Sequence, residues 1–179
     1  MRTMQEFTNE TIDLENLPKY EDVALTAPNP KYWNVIVINL GIVLIILGAF
    51  LGLFIFLLDD KLPNPIYPIV GYVVFSVLLF FIYRLSFKKR GFALREKDII
   101  YKHGVIAETT TIIPINRIQH VALDEGITSR SYGLATLQIY TAGGATGHVH
   151  IAGIEVEKAK IIKEVLVKKL DLMVDKEVI

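Results

Sequence analysis

Trp33–Leu58, WNVIVINLGIVLIILGAFLGLFIFLL, and Ile66–Tyr83, IYPIVGYVVFSVLLFFIY, are separated only by Asp59-Asp60-Lys61-Leu62-Pro63-Asn64-Pro65. Neither run contains a charged residue, and about 20 mostly apolar helical residues are enough to cross a bilayer core. The pattern predicts a membrane α-hairpin with a first span at about 33–58 and a second at about 66–86. The competing reading, two core helices of a soluble protein, leaves too little chain to cover two helices that are apolar on every side. Tyr32, Trp33, Tyr67 and Tyr83 stand at the span ends, where amphipathic rings sit at head-group depth.

Within the first span, Gly48 and Gly52 form a small-xxx-small pair, and Gly41 lies seven residues earlier on nearly the same face. Such a face admits another helix at close range. The neighbour is either the second span near Gly71 or a second copy of the chain. Asn34 and Asn39 are uncharged and near the helix end, so local partners suffice for them.

Hydrophobic residues make up 52% of the 179, and mean hydropathy is +0.42, an apolar excess over soluble domains that the two spans explain. Formal net charge is zero and the pI is about 6.9, so no global basic field points to nucleic acid. Local charge is informative. Residues 1–31 carry three basic and six acidic side chains, a net of −3, whereas residues 84–97 carry six basic and one acidic, a net of +5. Basic residues beside a membrane helix resist translocation, which places Arg84, Lys88, Lys89 and Arg90 at the inner leaflet and both termini in the cytoplasm. The expected location is the cytoplasmic (inner) membrane, with two passes.

The chain has no cysteine, which removes disulfides, thiolate metal sites and cysteine nucleophiles. Its polar, acidic leader and long first run differ from a cleavable signal peptide, so the first span is expected to persist in the mature protein. Residues 1–31, with Ala27-Pro28-Asn29-Pro30 near the end, read as a flexible arm holding a short helix near Thr11–Leu17.

Beyond the basic collar the period changes. Phe92, Leu94, Ile99 and Tyr101 alternate about the Glu96-Lys97-Asp98 turn as a β-hairpin. Val105–Ile113 is β-branched and reads as a strand ending at Pro114. Ile115–Leu123 continues as strand, Asp124-Glu125-Gly126 turns, Leu134–Thr141 alternates, Gly143–Gly147 turns again and His148–Ala152 completes the set. The expectation is antiparallel β from Gly91 to Ala152. From Glu155, Val156, Ala159, Ile162, Val165, Leu166, Leu170 and Met173 recur every three or four residues, giving one apolar stripe on a helix over about 155–173.

Short antiparallel strands followed by one amphipathic helix are the layout of a pleckstrin-homology-like barrel. The chain resembles the bacterial pleckstrin-homology family, the membrane-flanked YdbS-like proteins. The resemblance rests on Ile113-Pro114-Ile115-Asn116-Arg117-Ile118-Gln119-His120-Val121, Ser129-Arg130-Ser131-Tyr132-Gly133-Leu134-Ala135-Thr136-Leu137, Thr141-Ala142-Gly143-Gly144 and Ile151-Ala152-Gly153-Ile154. It covers about Tyr32 to Leu172 and implies a fold class of a two-helix transmembrane hairpin plus a β-rich barrel capped by a C-terminal helix. The domains are then a 1–31 arm, a 32–87 hairpin and an 88–179 cytoplasmic PH-like domain. Folds of this kind mostly bind lipid head groups, peptides or other proteins, and the family carries no assigned reaction.

Arg117 and Gln119 flank Ile118 on a strand and share one face, and Arg130 follows a turn. The two arginines either grip phosphate or carboxylate through their planar forks or anchor the sheet on backbone carbonyls, Asp124 or Glu125. Arg84, Lys88, Lys89 and Arg90 attract anionic lipid generically. His148 and His150 point the same way on a strand but lack a third ligand, so no metal or other cofactor is expected. No nucleophile, base and oxyanion donor converge. The expected function is a non-enzymatic membrane-anchored adaptor that binds membrane lipids and another membrane protein or itself, as a homo-oligomer. The alternative is anionic head-group binding or lipid handling.

Overall fold

The computed structural model describes residues 20–58, 64–142 and 148–177, with side chains through 170. The helix expected near Thr11–Leu17, the turn at Gly143–Gly147 and the Met173 side chain lie outside the described residues.

Helices α1 (Tyr32–Leu57) and α2 (Ile66–Lys89) run antiparallel. At 26 residues, α1 is about 39 Å long. α2 continues beyond the apolar run because nothing from Arg84 to Lys89 breaks a helix. Lys88 and Lys89 complement the dipole of its last turn, and Gly91 follows. Buried residues in α1 are confined to Val35, Ile36 and Leu40, and α2 has none. A core helix of a soluble protein is covered by its neighbours; these two present apolar side chains outward along nearly their whole length, as hydrocarbon requires.

Strands β1 (Gly91–Leu94), β2 (Asp98–His103) and β3 (Thr109–Pro114) form one antiparallel sheet in that order. β4 (Ile118–Asp124), β5 (Leu134–Thr141) and β6 (His148–Glu155) form a second. α3 (Ile127–Ser131) follows β4, and α4 (Val156–Glu177) ends the described chain. Ile99, Ile115, Leu137, Ile139 and Ile151 meet between the sheets, and α4 closes the core with Ala159 and Leu166, each 0% exposed. Those two are seven residues apart on the predicted stripe. Val165, assigned to the same stripe, is instead exposed.

Three expectations of continuous β structure are corrected. Strand β3 starts at Thr109 rather than Val105, because Gly104 at φ +113° turns the chain so tightly that a Cβ there would lie 2.0 Å from the Ala107 carbonyl oxygen. Ile115–Arg117 is a 3₁₀ turn that buries Ile115 and donates its N–H to Lys97 O at 3.0 Å, and α3 interrupts the segment after β4. The barrel is not closed: the corner at Ile115–Arg117 separates two three-stranded sheets, and no ladder joins them among the described residues.

Part of the predicted flexible arm is fastened to both sheets. Thr26 exchanges two backbone hydrogen bonds with Phe92 of β1 (2.7 and 3.0 Å), while Asn29 donates its N–H to Gly153 O of β6 at 2.8 Å. Asn29 Nδ2 also donates to Glu155 Oε1 at 2.8 Å. Pro28, between them, is buried. The strap crosses the seam that strand pairing leaves open.

Candidate functional site

The junction between hairpin and sheets concentrates the polar chemistry. Arg84 lies 4.6 Å over the Trp33 ring, a cation–π contact. Trp33 packs on Phe80 and Phe87, at 5.5 and 5.8 Å between ring centroids. Lys89 Nζ donates to Val105 O at 3.1 Å and pairs with Glu108 at 2.9 Å; Lys102 pairs with the other oxygen of Glu108 at 2.8 Å. The Lys102 and Lys89 ammonium groups hold the Glu108 carboxyl at about 2, well below the usual carboxylate range, and Glu108 in turn raises Lys102. Arg90 turns inward, with Nη2 donating to Ser86 Oγ at 3.2 Å. Tyr101, nearly buried beside it, has its phenol pushed up by burial against a smaller downward pull from Arg90. Of the four collar residues, Lys88 is exposed without an ion pair or side-chain hydrogen bond among the described residues.

α3 is pinned to the second turn of α1, where Thr128 Oγ1 donates to Asn39 Oδ1 at 2.8 Å. Asn39 thus finds its partner 89 residues away rather than locally. Ile127, 92% exposed, stands next to this contact, and Ile106, 100% exposed, follows Val105 at the foot of α2. An exposed isoleucine thus stands at each place where the domain meets a hairpin helix, Ile106 inside the run read from the sequence as a strand.

Arg117 and Arg130 are both exposed and stand beyond opposite ends of β4, itself roughly 20 Å long by strand rise. They cannot grip one anion together. Neither side chain bonds Asp124, Glu125 or a carbonyl among the described residues. Arg117 and Gln119 do not alternate on a strand either, since Arg117 belongs to the 3₁₀ turn and the β4 register shifts between Ile118 and His120. Arg117 instead borders a cleft of about 100 Å3 with Thr111, Ile113 and Ala142, alongside β3.

The glycines of α1 divide. An ideal Cβ at Gly48 would lie 3.1 Å from Tyr72 Oη, whose hydroxyl donates to Leu44 O at 2.7 Å, while Gly41 and Gly52 face open space. On the outer face of the second sheet, His120 stacks on Tyr140 at 4.0 Å, and His148 meets the same ring edge-on at 4.7 Å. His148 and His150 are both exposed. No group of three or more histidine or carboxylate side chains gathers among the described residues.

An apolar helical hairpin joined to two packed antiparallel sheets with a C-terminal helix defines a PH-like module on a membrane hairpin. A model of the family described as Bacterial PH domain matches residues 35–169, well over half of the chain, and the chain belongs to that family. It is 33% identical over 88 residues to the UPF0699 transmembrane protein YdbS of Bacillus subtilis (strain 168), covering 49% of this chain and 54% of that protein. The chain therefore spans about half the length of the curated relative it matches. No solved structure matches it.

Proposed function

We propose that the chain is a non-enzymatic adaptor, anchored in the cytoplasmic membrane with both termini inside, which receives an extended segment of a protein partner along β3. The observation that carries this reading is the state of the sheet edges. The strap pairs with β1 and hydrogen-bonds to β6, and α4 packs against β4. Among the described residues β3 pairs with β2 on one side only, and its sequence, Thr109-Thr110-Thr111-Ile112-Ile113-Pro114, has none of the charges that protect an edge. An added strand gains main-chain hydrogen bonds there, and an acidic side chain at its end meets Arg117. Anchoring raises the local concentration of membrane-bound partners, so a weak edge interface suffices. The partner is a second membrane protein or another copy of the chain.

A photo-crosslinking residue placed at Thr111 in native membranes is expected to trap a protein, at twice the chain mass if the partner is the chain itself. Adding Ile112→Lys or Arg117→Glu should weaken the adduct several-fold. Adducts to lipid alone, from protein that remains folded in the membrane, would refute the reading.

A further inference from the structure

Between α1, α2 and the residue that caps α2 lies a cavity of about 310 Å3, lined by Tyr32, Ile36, Asn39, Val43, Leu79 and Arg90 among others. That volume is at the lower end of small-ligand sites. Its lining is ordered along the helices. Arg90 and Tyr32 stand at the collar end, Asn39 lies two turns further along α1, and Val43 and Leu79 form the far wall, about 16 Å from Tyr32 by helical rise.

Arg90 is the unusual member. Its Nε is buried and has no hydrogen-bond partner, and no carboxylate pairs with its guanidinium among the described residues. Arg95, Lys89, Lys102, Lys158 and Lys160 have acidic partners, and although Arg84, Lys88, Arg117 and Arg130 also lack one, Arg90 is the cation with a buried, unpartnered nitrogen among the described residues. A guanidinium stays charged at any physiological pH, and leaving it partly desolvated with a single hydrogen bond to Ser86 and no counter-charge is unfavourable unless an anion completes it. The missing partner must accept N–H hydrogen bonds and carry negative charge, while the wall beyond it is apolar.

We infer that this cavity holds one anionic phospholipid, its phosphate accepting hydrogen bonds from Arg90 and its upper acyl chain lying between Ile36, Val43 and Leu79. The planar fork of arginine suits a phosphate oxygen pair. The cavity lies against both helices, so entry of a lipid from the leaflet would leave the sheets undisturbed. Free phosphate satisfies Arg90 but leaves the apolar wall unused.

The test uses the full chain, delipidated in non-ionic detergent, with dioleoylphosphatidylglycerol, dioleoylphosphatidylcholine or inorganic phosphate added, and bound lipid counted by native mass spectrometry. About one phosphatidylglycerol per chain is expected, retained at least tenfold better than phosphatidylcholine, with no displacement by millimolar phosphate. Arg90→Met should lose it, while Lys88→Met, on the same collar but outside the cavity, should keep it. Equal loss in the two variants, or full displacement by inorganic phosphate, overturns the inference in favour of diffuse charge or a plain anion site. Leu79→Trp fills the wall without touching the charge and decides the matter if Arg90→Met fails to fold. Undiminished phosphatidylglycerol on folded Leu79→Trp likewise overturns the site.

Discussion

Gly153 of β6 lies against the ring of Tyr32 at the head of α1, so closely that a Cβ on Gly153 would stand 2.7 Å from Tyr32 Cγ. Its φ of +80° independently favours glycine. Both the backbone and the packing therefore oppose a side chain here. Gly153→Ala should destabilise the chain by about 2–4 kcal/mol, the sum of a left-handed residue and an overpacked contact. Tyr32→Ala in the same chain should restore the packing part and not the backbone part. Chemical denaturation in detergent micelles reads the difference, and a Gly153→Ala protein of unchanged stability would show that β6 does not bear on α1.

The Thr128–Asn39 hydrogen bond joins α3 to α1 across 89 residues of sequence. Thr128→Val keeps the shape and removes the donor, at a net of about 0.5–1.5 kcal/mol. The effect should be local. Amide exchange in Ile127–Ser131 is expected to quicken several-fold while β5, in the centre of its sheet, keeps its protection. Equal acceleration in both places would mean that α3 and the core open together.

Glu108 ties α2 to β2 by pairing with Lys89 and Lys102, and its carboxyl is held at about 2. A carboxyl depressed by folding contributes stability that is complete above its ordinary value near 4.5 and is lost as pH falls towards about 2. Exchange in the Val105–Ala107 loop, relative to its intrinsic rate at each pH, should accordingly rise across that window. Glu108→Gln should abolish the rise and leave the loop open at neutral pH as well. Because these side chains are about two-fifths exposed, moderate salt should reduce the effect.

The two spans were legible because hydrocarbon imposes a length and a composition that nothing else in the chain satisfies. β1, β2, β5 and α4 were legible because alternation and the 3.6 period reflect burial on one face. The misread segments are those where a single backbone event overrides side-chain pattern. At Gly104 a positive φ turns Val105 out of its β-branched run. At Ile115, the most buried kind of residue marks a corner rather than a strand, because its side chain points into the core while its N–H bonds to Lys97 O. Arg90 was counted with the collar on charge alone, and its inward turn depends on how α2 ends and β1 begins. Asn39 did carry a signal: a polar amide in an apolar helix needs a partner, but sequence spacing could not name Thr128.

The glycines of α1 separate contacts within a hairpin from contacts between hairpins. Gly48 accommodates Tyr72, whose hydroxyl is held by Leu44 O, so Gly48→Leu must displace that ring and should destabilise the hairpin by about 1–3 kcal/mol. Gly41 and Gly52 meet nothing within 4 Å, so leucine there leaves α1 against α2 unaltered. If copies associate through this face of α1, Gly41→Leu and Gly52→Leu should abolish crosslinked dimers in native membranes while thermal stability in detergent stays within error. Unchanged dimers in both variants would move the self-contact to β3, where Ile112→Lys should remove it. Loss of stability with Gly52→Leu would show that the second span lies closer to that face than the open space beside Gly52 implies.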